Sequence, residues 1–204
     1  MSSDAVSQQI AYEIDNRLYL SITDRCTLDC AFCPKNQGDF TVRGYDLTMD
    51  HRPNAEEIIA AIGDPSRFEE VVFCGYGEPT LRLKVLLQVA RFVKSHGGRV
   101  RVNTDGLANL VHKNDVLPEI ADCVDALSVS MNAQDAAVYD RHCLPNLPGS
   151  YQAMLEFLKE APQFVPEVTA TAIDGLEGVD IDACRQLADK LGVGFRARHL
   201  GKVG

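Results

Sequence analysis

The segment Ser21–Pro34, with the sequence SITDRCTLDCAFCP, is the most informative part of this chain, because three cysteines lie close together directly after a strand-like run. Cys26, Cys30 and Cys33 have the spacing C-x3-C-x2-C, and the run before them, residues 18–22, is largely apolar. Three thiolates at this spacing can hold three irons of a cubane 4Fe–4S cluster. A fourth cysteine at ferredoxin-like spacing is missing, which leaves one iron open for a small chelating ligand.

Three other interpretations of these cysteines have to be weighed. A structural zinc site needs four ligands, and the nearest downstream histidine, His51, is far outside zinc-finger spacing. The thiols could simply be buried, or they could form disulfides. Disulfides are disfavoured by the odd number of cysteines, seven, and by the lack of a signal peptide at the N-terminus. We expect buried or unreactive thiols at the remaining positions, Cys74, Cys123, Cys143 and Cys184.

The composition is typical of a soluble globular protein, with 46% hydrophobic and 24% charged residues in a chain of 204. This length predicts one domain, residues 1–204, with a full core. The net charge of −9 argues against a nucleic-acid-binding surface, which normally carries a basic patch. No apolar run is long enough to cross a membrane, and residues 1–5 are polar and acidic. We therefore expect a cytoplasmic protein.

Strand-like and helix-like segments alternate along the chain. Strands are predicted at residues 18–22, 70–74, 99–102, 125–131, 167–173 and 194–198, and the main helices at 55–62, 81–95, 114–122, 150–160 and 181–191. Six alternations predict an α/β fold with a parallel sheet and right-handed crossovers. Because eight units are not reached, we expect an open, partial (β/α)6 TIM-like barrel. Residues 1–16 are predicted to form an N-terminal extension with a hairpin, and residues 34–53 a long loop.

Four distinctive segments fall at predicted carboxyl ends of strands, where the active sites of parallel βα folds form. Besides the cysteine loop, they are GYGEP at Gly75–Pro79, NTDG at Asn103–Gly106 and SVSMN at Ser128–Asn132. Glycines allow a ligand to approach the backbone closely, and Glu78 can accept hydrogen bonds from an ammonium group. The period of two predicts Ser130 and Asn132 on the same side of the strand. Taken singly, each segment could also be a structural turn or a strand with hydrogen-bonded hydroxyls.

Together, these segments resemble the radical SAM superfamily, whose core is a partial (β/α)6 barrel that binds a 4Fe–4S cluster and S-adenosyl-L-methionine (SAM). The resemblance extends from about residue 17 to the end of the chain. It implies that Cys26, Cys30 and Cys33 ligate iron, and that the amino and carboxylate groups of SAM chelate the open iron. It also implies a set of SAM contacts, namely Phe32, Gly75, Gly77, Glu78, Pro79, Asn103, Thr104, Asp105, Ser130 and Asn132.

The resemblance also implies a role for each of these segments. The aromatic residue at the position of Phe32 packs beside the adenine of SAM, and the glycine segment meets the amino group. The segment beginning at Asn103 lines the methionine or ribose region, and the strand end at Ser130 offers polar contacts to the carboxylate and ribose. Two positions depart from the commonest pattern: Tyr76 stands between the glycines, and Asp105 stands where asparagine is frequent.

Within the superfamily, the chain looks most like the short TatD-associated radical SAM proteins. This likeness rests on the segments Arg43–Leu47, Ser128–Ala133 and Tyr139–Pro145. The superfamily resemblance implies reductive cleavage of SAM to methionine and a 5′-deoxyadenosyl radical, which abstracts hydrogen from a substrate. A reductant such as flavodoxin or ferredoxin would then be a partner.

The substrate stays open at this point, and the hypotheses come from different classes. One is a glycyl-radical-type activase that acts on a protein or peptide, and a second is an enzyme acting on a small metabolite or nucleotide. A third is a non-catalytic iron–sulfur or zinc-binding module. On the last predicted strand, Arg196, Arg198 and His199 could meet an anionic substrate group or be solvated.

Overall fold

A computed structural model describes residues 8–200 of the protein. The strands in this range are β1 (Ala11–Ile14), β2 (Arg17–Leu20), β3 (Thr41–Val42), β4 (Tyr45–Asp46), β5 (Val71–Phe73), β6 (Val100–Thr104), β7 (Ala126–Ser130), β8 (Glu167–Asp174) and β9 (Gly194–His199). Seven of them form one sheet in the order β1-β2-β5-β6-β7-β8-β9. The first pair, β1 and β2, is antiparallel, and every other neighbouring pair is parallel.

Six parallel strands in sequence order, joined by helical connections, make up the partial (β/α)6 barrel that the sequence predicted. The helices are α1 (Ala55–Ile62), α2 (Leu83–Ser95), α3 (Ala108–His112), α4 (Leu117–Ile120), α5 (Ala136–Cys143), α6 (Ser150–Glu160) and α7 (Ile181–Leu191). The capping box at the start of α1 is confirmed: Asn54 accepts from the backbone of Glu57, and Glu57 accepts from that of Asn54. None of the helices in residues 8–200 is both long enough and apolar enough to cross a membrane.

The two faces of the sheet differ in polarity. One face carries residues that are almost fully buried and pack against the helices, such as Leu20, Phe73, Val102 and Val129. The register places Asn103, Ser128 and Thr169 side by side on the other face. Burial of the first face stabilises the fold, since each fully buried large apolar side chain contributes roughly 1.5–3 kcal/mol. The second face is the polar interior of the open barrel.

The helix predicted at residues 114–122 is shorter in the structure, and a helix that the sequence did not predict precedes it. Helix α4 begins at Leu117, so Pro118 lies in its first turn, where its missing N–H is no loss. Helix α3 spans Ala108–His112 and has no side-chain cap.

The N-terminal hairpin is confirmed for β1 and β2, whereas residues 1–7 of the predicted extension lie outside the described residues. Asp15 and Asn16 both have positive φ, 48° and 61°, as a two-residue hairpin turn requires. The segment 34–53 is not merely a loop, because β3 and β4 form a small hairpin within it. Val42 and Leu47 from this segment pack with Tyr12 and Ile14 of β1 into a second apolar cluster.

Candidate cluster and cofactor site

The cysteine loop follows β2 at the carboxyl end of the sheet and is fixed by a distant part of the chain. Leu28 and Pro145 form an isolated antiparallel bridge. On either side of it, the Ala31 N–H donates to the His142 carbonyl at 2.9 Å, and the Asn146 N–H donates to the Thr27 carbonyl at 3.0 Å. The last turn of α5 and the segment after it therefore hold the loop that contains the three predicted ligands.

All seven cysteines are free thiols, and Cys26, Cys30 and Cys33 are only partly buried. Burial and the nearby negative charge of Asp105 raise the pKa of Cys26 to about 12. A hydrogen bond with Cys143, together with burial, raises the pKa of Cys30. These thiols therefore hold their protons in the metal-free protein, and iron has to displace them when it binds.

The three cysteines are not arranged around a single point. Among residues 8–200, no three His, Cys, Asp or Glu side chains converge as ligands of one metal ion. Ligands of a cubane cluster bind separate irons, so they need not converge in this way. Phe32, between the second and third cysteines, packs against the main core, as do the side chains of Cys26 and Cys30.

The glycine segment crosses directly over the chain that leads into the cysteine loop. A Cβ atom on Gly77 would lie 2.6 Å from the carbonyl oxygen of Arg25 and still closer to that of Thr23. A Cβ atom on Gly75 would lie 2.5 Å from Oγ of Ser21. Only glycine fits at both positions, because real Cβ atoms do not approach other atoms this closely. The backbone here is thus packed tightly against the start of the predicted cluster site.

Glu78 is buried and joins three of the four strand-end segments. Its Oε1 accepts from Oγ1 of Thr104 at 2.9 Å and from Thr80, while its Oε2 accepts from the backbone N–H of Asp105 at 2.7 Å. Its own N–H donates to the carbonyl of Arg25 at 2.7 Å. Glu78 is only 3% exposed, so the structure places its carboxylate inside the fold rather than at the barrel surface.

Asp105 extends this network to the cysteine loop. Its carboxylate accepts a hydrogen bond from Oγ1 of Thr27 and another from the Leu107 N–H at 2.9 Å. Burial raises the pKa of Asp105, and burial with the charge of Asp105 raises the pKa of Glu78 to about 8. Each of the two carboxyl groups therefore holds its proton more tightly than it would in water.

The side chain of Asn103 lies on the inner face, and its amide oxygen, Oδ1, is buried and not hydrogen-bonded within the described residues. The side chain also reaches the thiol of Cys74. Ser130 lies on the same face in the next layer, opposite Thr171 of β8. Buried polar atoms without a partner are uncommon in native proteins, so the free Oδ1 marks a place where a bound molecule would supply one.

The expectation that Ser130 and Asn132 point to the same side is wrong. Strand β7 ends at Ser130, and Asn132 has a φ of 62°, so the period of two does not continue to it. Its amide Nδ2 instead donates to Sγ of Cys143 at 3.4 Å, and its side chain is buried. Asn132 thereby supports the thiol that contacts Cys30.

Sequence reasoning missed two buried residues next to the cysteine loop. Cys143 is buried, as the sequence predicts, but its hydrogen bond to Cys30 was not predicted. The side chain of Tyr139, also on α5, is fully buried, and its hydroxyl has no hydrogen-bond partner among residues 8–200. The only sequence signal was the segment Tyr139–Pro145, whose likeness to one subfamily did not show that it packs on the cysteines.

Comparison with known families agrees with this geometry. The radical SAM superfamily matches residues 20–191. The chain belongs to this superfamily. Its members use a 4Fe–4S cluster and SAM as cofactors, so these two groups are the ones that the site has to accommodate. The TatD-associated subfamily stays a prediction.

Among curated proteins, the chain is similar to the tungsten-containing aldehyde ferredoxin oxidoreductase cofactor-modifying protein of Pyrococcus furiosus. The two are 30% identical over 126 residues, which cover 59% of this chain and 32% of that protein. The chain thus spans only about a third of the length of this relative.

Two solved structures illustrate the similarity in fold. SuiB of Streptococcus suis, bound to S-adenosylmethionine, has a TM-score of 0.69 at 13% identity, covering 92% of this chain and 41% of that one. The methyltransferase TsrM of Kitasatospora setae, with cobalamin and a [4Fe-4S] cluster bound, has a TM-score of 0.55 at 11% identity, covering 85% and 35%. At these identities the similarity concerns the fold alone.

The residues present fit the two cofactors in their chemistry. Three thiols in one loop supply the donor set of a cluster with one open iron. The glycine crossing at Gly75 and Gly77 keeps side chains away from the start of the loop, and the Oδ1 of Asn103 is a free acceptor on the inner face. The contacts predicted between SAM and individual residues remain predictions.

Proposed function

We propose that this protein is a radical SAM enzyme in which Cys26, Cys30 and Cys33 hold the cluster and the inner face of the barrel receives SAM and a substrate. A cluster held by these cysteines would supply the electron for reductive cleavage of SAM, which would give methionine and a 5′-deoxyadenosyl radical able to abstract hydrogen from the substrate. A small reductant of the flavodoxin or ferredoxin type would supply the electron.

One observation carries this proposal: three strand-end segments are joined into a single network beside the cysteines. Thr27 of the cysteine loop donates to Asp105, and Glu78 of the glycine segment accepts from the backbone of Asp105. Separate structural turns would not need buried carboxylates to connect them, because burying such groups is costly. A network of this kind instead holds the three segments in fixed positions relative to one another.

In this proposal, some residues position the site and others contact SAM directly. Glu78 and Asp105 are positioning residues, since their oxygens are engaged within the protein. Asn103 and Ser130 lie on the inner face and are the proposed direct contacts to SAM. Phe32, partly buried in the loop, is the proposed neighbour of the adenine ring.

The experiment is anaerobic reconstitution with iron and sulfide, followed by addition of dithionite and SAM and analysis for 5′-deoxyadenosine. The wild-type protein should form 5′-deoxyadenosine, and Cys30→Ala should not. Cys123→Ala is the matched control, because this thiol is buried and has no part in the network around the loop. If Cys30→Ala were as active as Cys123→Ala, the proposed ligand set would be wrong. Binding of zinc without any iron would overturn the proposal as a whole.

A second candidate is an activase-like enzyme that forms a radical on a peptide or protein. SuiB has also been solved bound to its precursor peptide SuiA, and that structure resembles this chain with a TM-score of 0.67. Electron paramagnetic resonance separates the two candidates: a persistent radical on an added polypeptide supports the activase. A modified small molecule without such a signal supports the first proposal.

A further inference from the structure

Cys143, at the end of α5, lies directly opposite Cys30, the second of the three predicted iron ligands. The bridge between Leu28 and Pro145 sets an antiparallel register, in which the second residue after Leu28 faces the second residue before Pro145. These two residues are Cys30 and Cys143. Backbone hydrogen bonds of 3.3 and 2.9 Å on either side of the pair continue the same register. The hydrogen bond between the two side chains is therefore held in place by the backbone of both segments.

The amide of Asn132 determines which way the thiol of Cys143 points. Its Nδ2 donates to Sγ of Cys143 at 3.4 Å, and the side chain of Cys143 is fully buried. An amide NH2 group can only donate, so the sulfur of Cys143 is the acceptor in this contact and its own S–H is directed elsewhere. Asn132 is itself fixed, because its N–H donates to the carbonyl of Thr171 at 2.9 Å. Among the described residues, the other hydrogen-bond partner of the Cys143 thiol is Cys30.

Binding of iron decides the direction of the hydrogen bond between the two cysteines. A cysteine that ligates iron does so as a thiolate, so Cys30 then has no proton to donate. Cys143 holds the only proton between the two sulfurs. Its S–H is a weak donor in neutral pairs, but it forms a stronger hydrogen bond to a charged acceptor. Hydrogen bonds to the sulfurs of a cluster raise its reduction potential, because they stabilise the reduced form, which carries one more negative charge.

We propose that Cys143 donates a hydrogen bond to the sulfur of Cys30 in the cluster-loaded protein and thereby raises the reduction potential of the cluster, with Asn132 positioning the thiol. This inference rests on the proposed radical SAM function and adds a residue that sets how readily the cluster accepts its electron. The competing role for Cys143 is that of a fourth iron ligand. A fourth thiolate would close the open iron, and the sulfur of Cys143 is already engaged by the amide of Asn132.

The test is a redox titration of the anaerobically reconstituted protein without SAM, followed by electron paramagnetic resonance of the reduced cluster. Cys143→Ala should bind as much iron as the wild type, but its midpoint potential should be lower by about 30–59 mV, a roughly three- to tenfold change in the equilibrium for one electron. Cys143→Ser should recover at least half of this shift, because a hydroxyl also donates. Asn132→Gly, which tolerates the positive φ, should shift the potential in the same direction as Cys143→Ala. The matched control is Cys123→Ala, which removes another fully buried thiol and should keep the potential of the wild type.

Three results would overturn the inference. The first is an unchanged midpoint potential in Cys143→Ala. The second is a Cys143→Ser variant whose potential is no closer to that of the wild type, which would trace the shift to packing rather than to a hydrogen bond. The third is loss of iron from Cys143→Ala while Cys123→Ala retains it, which would assign Cys143 as a ligand. A wild type that binds no iron overturns the proposed function and this inference with it, whereas a loaded wild type with any of the three results overturns this inference alone.

Discussion

Replacing Gly77 with alanine should displace the chain that leads into the cysteine loop. The added Cβ would lie 2.6 Å from the carbonyl oxygen of Arg25, whereas ordinary contact begins at 3.4 Å, so this backbone has to move by about 0.8 Å. The same movement stretches the hydrogen bond from the Glu78 N–H to that carbonyl, which is 2.7 Å long. Overpacking of this kind costs about 1–3 kcal/mol, and a lost hydrogen bond about 1 kcal/mol more. We expect Gly77→Ala to lower the free energy of unfolding by about 2–4 kcal/mol.

The displacement should also reduce iron binding, because Cys26 directly follows Arg25. The assay combines urea unfolding of the metal-free protein with iron analysis after anaerobic reconstitution. Gly194→Ala serves as the matched control, since its Cβ would lie 3.4 Å from Oγ1 of Thr169, which is ordinary contact. Equal stability and equal iron content in the two variants would refute the argument from the glycine crossing.

Three further outcomes are expected. The pKa of Glu78 is raised to about 8 from 4.5, so the folded state keeps a proton that the unfolded chain releases, and stability falls as pH rises between these values. Glu78→Gln should reduce the change of the urea midpoint with pH. If the midpoint changed with pH as much as in the wild type, Glu78 would not be the group that holds the proton. Tyr139→Phe removes a buried hydroxyl without a partner, so urea unfolding should show equal stability or a gain of about 1 kcal/mol, and a clear loss would reveal a missed partner. Metal analysis should find as much iron in Cys143→Ala as in the wild type, because Cys143 only contacts the ligand Cys30. Loss of the iron would show that Cys143 is itself a ligand.

The barrel itself could be predicted from the sequence because strand-like and helix-like segments alternate, and four of the six parallel strands are followed by a distinctive segment at the carboxyl end. The limits of α1 were also predictable, since Asn54 and Glu57 form a capping box whose spacing is visible in the sequence. Helix α3 gave no such signal, because it has five residues and no side-chain cap. The hairpin of β3 and β4 was missed for a similar reason, since two-residue strands have no measurable period.

The candidate site was predictable in its residues but not in their roles. Sequence patterns placed Glu78 and Asp105 near SAM, and only the fold shows that both carboxylates are buried and joined to each other. The position of Asn132 could not be inferred from alternation, because a positive φ ends the strand before it. Arginine and valine alternate in Arg99–Val102, but this alternation does not show what the arginine face lines.

The bridge between Leu28 and Pro145 has a consequence for biosynthesis. Ribosomes make the chain from its N-terminus, so the three cysteines emerge early, whereas the segment that fixes their loop emerges only after α5 has been made. Until then, the Ala31 N–H and the Thr27 carbonyl have no strand to pair with. Stable insertion of the proposed cluster therefore requires residue 146 to have left the ribosome, and the three thiols have to stay reduced until then.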